Sequence, residues 1–144
     1  MKVLFDTNTM VAAFVETHIH HQRALPWLER AIHKEFETAF SAHSLAEFYA
    51  TVTRLPLIDK IVPADAGQMV VKNLKSWVQV VTLSAEDYFT TVEKVANLNV
   101  PGACIYDAII ARAAEKFKAD HLLTFNVKHF VRVWPEGKDI IISP

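Results

Sequence analysis

Three carboxylates and one amide stand at the ends of short apolar runs: Asp6 in KVLFDTNT, Glu47 in SLAEF, Asp107 in YDAII and Asn126 in LLTFN. Gathered into one place, three carboxylates repel one another. Unless a cation joins them, at least one pKa must rise as the group protonates itself. An oxygen-lined acidic set favours Mg²⁺ or Mn²⁺, which take carboxylate and water ligands. Such a cation can bridge to a phosphodiester oxygen, deprotonate a bound water and stabilise charge on the leaving oxygen, which is the chemistry of phosphodiester hydrolysis. It would also attract an anionic substrate that the protein surface does not, since the formal net charge is -1 and the pI is near 6.6.

That chemistry requires elements that bring the four residues together. Lys2 to Phe5 reads as a buried strand ending at Asp6, followed by a helix from about Thr7 to Val15. Helical spacing runs from about His20 to His33. Thr38 to Phe40 is strand-like, and Ser44 to Leu55 is helical, closed by Pro56. Pro63 with Asp65 opens a helix to about Ser76. Val78 to Leu83 is β-branched, and Ser84 caps a helix to about Leu98. Ala103 to Lys118 is helical, with strands at His121 to Thr124 and Ile140 to Ile142. Strands alternating with helices predict an α/β class: a three-layer α/β/α sandwich with a central parallel sheet, spanning residues 1–144 as one domain. In such sheets ligands bind beyond the carboxyl ends of the strands. Asp6 and Asn126 lie there, and the helices carrying Glu47 and Asp107 in their first turns begin there.

Each residue also has a purely structural reading. Ser44-Leu45-Ala46-Glu47 matches a capping box, Asp6 suits a strand-end Asx position, and Asp107 suits a helix start. Their shared sheet edge favours function. Thr7 and Asn8 are helix caps or hold a metal-bound water or phosphate oxygen. The cluster of His18, His20 and His21 lacks a further ligand at zinc spacing and reads as surface. Arg112, five residues after Asp107, suits a structural ion pair. Lys128, His129 and Arg132 form a basic patch that could hold an RNA backbone, or a solvated loop, and Phe125, Phe130 and Trp134 read as core.

Cys104 has no partner for an internal disulfide, no signal segment precedes the first strand, and no apolar stretch is long enough to span a membrane. A cytoplasmic protein without membrane contact is expected. An aspartyl-nucleophile phosphatase would want an acid where Asn8 stands, and a phospho-receiver an Asp near Leu83 or Ser84.

The segments VLFDTNTMVAAF, SAHSLAEFYATVTR, YDAIIARAAEK and LLTFNVKHF, in that order over nearly the full chain, resemble PIN-domain ribonucleases, specifically VapC-type toxins of toxin–antitoxin pairs. The resemblance implies a PIN-like sandwich, Mg²⁺- or Mn²⁺-dependent cleavage of RNA, homodimerisation and inhibition by a cognate VapB-type antitoxin. It places the family's acids on Asp6, Glu47 and Asp107, and a fourth acidic position on Asn126. A catalytically silent PIN-like module that binds RNA or protein is the competing function. An amide at Asn126 offers a carbonyl ligand but no charge, so one tight or moderate metal site and a second filled only with substrate are expected. Asn126→Asp should therefore tighten Mn²⁺ binding, and calorimetry showing unchanged affinity would contradict this.

Overall fold

The computed structural model describes residues 1–144. The first strand, β1 (Lys2–Phe5), points successive side chains to opposite faces, and both faces are covered. Val3 and Phe5 pack into one core cluster and Leu4 into another. The same split recurs in β2 (Glu37–Ser41), with Phe40 on the first side and Ala39 on the second, and in β4 (His121–Leu123), with Leu123 and Leu122. Together with β3 (Gln79–Val81) and β5 (Ile141–Ile142) they form a parallel sheet in the order β3-β2-β1-β4-β5. This is the expected three-layer sandwich.

On one face lie α1 (Thr7–Phe14), α2 (His21–Ile32) and α3 (Ala42–Val52), with a further helical stretch. That stretch comprises α4 (Pro63–Gln68), a π-helical segment over Met69–Leu74, and α5 (Lys75–Trp77). Against the other face lies α7 (Cys104–Phe117), flanked by α6 (Ala85–Asn97) and α8 (Val127–Val133). No helix is long and apolar enough to cross a membrane.

Chain order leaves β1 toward β2 on one side and toward β4 on the other, so the order reverses beside β1 and opens a crevice at its carboxyl end. Asp6 is the residue delivered there. Three local expectations are corrected. Ser41, not Ser44, caps α3: its hydroxyl accepts the Ser44 amide at 2.9 Å, so the helix begins directly after β2 and Glu47 falls in the second turn. The same helix ends at Val52, where the Thr53 hydroxyl donates to the Tyr49 carbonyl, before Pro56 is reached. Lys128, His129 and Arg132 ride on α8 rather than in a loop.

The axis of α7, which carries Asp107, is tied to α6 by Asp87. Ser84 and Asp87 form a reciprocal capping box, and Asp87 also accepts from Lys116 at 2.8 Å and from Arg112 at 2.9 and 3.0 Å. Arg112 reaches Glu115 as well, and is thus the structural ion pair expected of it. Lys116, the Ser84 amide and Arg112, in that order, hold the Asp87 carboxyl well below the ordinary carboxylate range. Its folded-state pKa lies below its unfolded one, so its stabilisation is complete above about pH 4 and is lost as pH falls toward the folded value. Asp87→Asn should lower Tm at neutral pH and lose stability less steeply below about pH 4 than wild type. Parallel acid limbs for the two proteins would contradict this.

Candidate active site

The register of β1 against β4 pairs Phe5 with Leu123, so the next residues outward, Asp6 and Thr124, stand side by side. The Asp6 amide still donates to the Leu123 carbonyl at 3.0 Å, which fixes the backbone. Its side chain is 2% exposed and does not cap α1, so the Asx-type cap is not formed. Instead the Thr124 hydroxyl donates to Asp6 Oδ2 at 2.8 Å and accepts the Asn126 amide at 2.9 Å. One buried hydroxyl thereby orients the carboxylate and the start of α8.

Glu47 reaches the same place from α3. Thr7, the first residue of α1 and 1% exposed, donates its hydroxyl to Glu47 Oε2 at 2.5 Å. This replaces both expected caps, that of Thr7 on its helix and that of Glu47 in a capping box. Asn8 is exposed in the first turn of α1 and is not the cap either, because Asp6 occupies that position. Asp107, in the first turn of α7, is partly buried and lies 3.9 Å from His129 Nδ1. Asn126 precedes α8 without capping it by its side chain, and Lys128 is exposed in the first turn of that helix.

Burial pushes the Asp6 carboxyl up to about 7, opposed by the Thr124 hydroxyl and reinforced by the charges of Asp107 and Glu47. Asp107 is raised as well, chiefly by burial; the Glu47 charge adds to this, and His129 opposes it. The three acids are thus electrostatically coupled. No three acidic, imidazole or thiol side chains stand close enough to enclose an ion by themselves. Mg²⁺ keeps several waters and takes one or two carboxylates directly, so it does not require such an enclosure. The donor set of Asp6, Glu47, Asp107 and the Asn126 amide contains only oxygen acceptors suited to such a hard ion.

The histidines elsewhere do not compete for this role. His21 is buried, with Nδ1 2.9 Å from the Ala12 carbonyl, so it is not the surface residue expected. His18 Nδ1 accepts the His20 amide, and His20 stacks on Phe125 at 4.3 Å. Phe130 and Trp134 are core, as expected, whereas Phe125 is only partly buried.

Two residues at the site escaped sequence reasoning. Thr124 was foreshadowed by the parallel between VLFD and HLLT, two apolar runs each ending in a polar residue at the same sheet level. His43 lies one helical turn before Glu47, with Nε2 3.8 Å from Glu47 Oε2, a spacing visible in SAHSLAE. Removing the Thr124 hydroxyl leaves Asp6 without its donor and the Asn126 amide without its acceptor. Thr124→Val should cost about 1–3 kcal/mol in urea unfolding, with Thr124→Ser restoring most of it. Equal stability of wild type and Thr124→Val would contradict this role.

Comparison with known proteins agrees with the fold. Ribonuclease VapC27 of Mycobacterium tuberculosis is 29% identical over 115 residues, covering 80% of this chain and 78% of the relative. The solved structure of VapBC2 from Rickettsia felis, bound to a DNA fragment from their promoter, has a similar fold. Its TM-score is 0.67 at 21% identity, covering 100% of this chain and 99% of the other. Mycobacterium tuberculosis VapC20, described as a Sarcin-Ricin loop cleaving toxin, gives a TM-score of 0.70 at 16% identity, over 88% and 92%. The PIN domain model matches residues 3–133, nearly the whole sheet and the helices that carry all three acids. The chain belongs to the PIN-domain family.

Proposed function

We propose that this protein is a metal-dependent endoribonuclease acting as the toxin of a toxin–antitoxin pair. The observation that carries the reading is the buried Asp6 carboxyl at the reversal point of the sheet, within reach of the charges of Asp107 and Glu47. The ribonuclease name of its relative supports RNA as substrate. The similar fold solved as VapBC2 supports a VapB-type antitoxin as partner. Homodimerisation and action in the cytoplasm follow from the family resemblance.

In this reading Asp6 and Asp107 would hold Mg²⁺ or Mn²⁺ directly, with Glu47 and the Asn126 carbonyl available to the waters the ion keeps. When bound, the cation supplies the positive charge that offsets the phosphodiester and makes a coordinated water acidic. Glu47, half-buried and steered by the Thr7 hydroxyl, orients the attacking water and takes its proton. Thr124 holds Asp6 in place throughout. Lys128 and His129, exposed at the start of α8, contact the RNA backbone, and Asn8 lines the mouth of the site.

The test is incubation of a structured RNA pool with wild type and Asp107→Ala, in Mg²⁺, Mn²⁺ or EDTA, with mapping of the cut ends. Wild type should give discrete cuts that need the divalent ion. Asp107→Ala and Asp6→Ala, both folded by circular dichroism, should lose activity by at least about 100-fold. Cleavage retained in either folded variant would overturn the site. Absence of cleavage by wild type would favour the silent binding module instead.

A further inference from the structure

Beside the acids, the Tyr106 and His43 rings stack nearly parallel, with centroids 5.2 Å apart and planes 9° apart. Tyr106 immediately precedes Asp107 on α7, and His43 lies one turn before Glu47 on α3. The pair therefore joins the two helices that deliver two of the three carboxylates. The other edge of His43 turns toward the acids, with a buried Nε2 that has no hydrogen-bond partner and lies 3.8 Å from Glu47 Oε2. Tyr106 nevertheless remains 48% exposed. An aromatic ring fixed flat on one side and half open to solvent is a preorganised surface that loses little rotamer freedom when something stacks on it.

We propose that the Tyr106–His43 stack is a nucleobase-binding subsite that seats one unpaired base of the RNA beside the scissile phosphate. The inference rests on the ribonuclease reading above and names how that site grips its substrate. The acidic edge repels a polyanion, and the formal charge of -1 offers no general attraction. Beyond the cation and the few basic side chains of α8, affinity gains most from contacts that do not depend on charge. Stacking of an unstacked base on an aromatic side chain is such a contact, and single-stranded loops supply those bases. Because His43 also lies 3.8 Å from Glu47 Oε2, a base seated on the pair lies beside the acidic site.

The test titrates a short single-stranded RNA carrying 2-aminopurine at successive positions with the full chain in Ca²⁺. Binding is read by fluorescence quenching and, in parallel, cleavage is read in Mn²⁺. Wild type should quench the probe at one position. Tyr106→Ala should weaken binding roughly 5- to 100-fold and abolish that quenching. Tyr106→Leu, which keeps apolar bulk without an aromatic face, should do the same, and Tyr106→Phe should restore both. Wild-type affinity in folded Tyr106→Leu, or a Tyr106→Phe as weak as Tyr106→Ala, would overturn the subsite. If the variants bind RNA normally but lose a VapB-type antitoxin, the surface serves a protein partner and the proposal is wrong. Wild type that cuts RNA while Tyr106 is dispensable overturns the subsite alone. Wild type that neither binds nor cuts overturns the ribonuclease reading with it.

Discussion

The burial of Asp6 against two further carboxylates is the constraint on which the molecule turns. An ionisable group at 2% exposure is costly to charge, and like charges nearby raise the cost. The fold sustains it because the backbone around Asp6 is fixed on every side. Its amide is in the ladder with β4, its carbonyl accepts the Met10 amide to begin α1, and Thr124 donates to its carboxylate. A residue destabilising in isolation is held by a sheet whose strands are buried on both faces.

Two threonines make this arrangement specific. Thr7 and Thr124 each donate a buried hydroxyl to one carboxylate, aligning Glu47 and Asp6 without adding positive charge. A lysine in either place would neutralise the site and compete with any cation. Hydroxyls orient the acids while leaving the negative potential intact. Asp107 is placed differently, by the helix α7 whose far end is secured to α6 through Asp87, Arg112 and Lys116. The arginine and lysine partners of Asp87 thus stabilise the frame, whereas beside the site acids only the imidazoles of His43 and His129 approach.

Much of this was legible in the sequence because it follows from local pattern. The apolar run before Asp6, the alternation of strands and helices, and the Ser84 cap all lie where periodicity and capping chemistry place them. What was misread depended on competition between neighbours. Ser41 and Ser44 both fit a cap, and only the tight passage from β2 into α3 decides for Ser41, which moves Glu47 to the second turn. The basic segment after Asn126 is too short to show helical periodicity, so α8 was invisible. Thr124 and His43 act through tertiary partners more than a hundred residues away or across helices, as Thr124 does with Asp6, and single-sequence pattern carries no such information.

The most direct test of the central claim is paramagnetic line broadening of the backbone amides on addition of substoichiometric Mn²⁺. If Asp6, Glu47 and Asp107 form one cation site, resonances around residues 6, 47, 107 and 124 should broaden first. Those around Asp87 and Lys116, at the far end of α7, should broaden less at the same Mn²⁺ level. Broadening centred on His18 to His21 or spread over the surface, with the β1 terminus unaffected, would contradict the account.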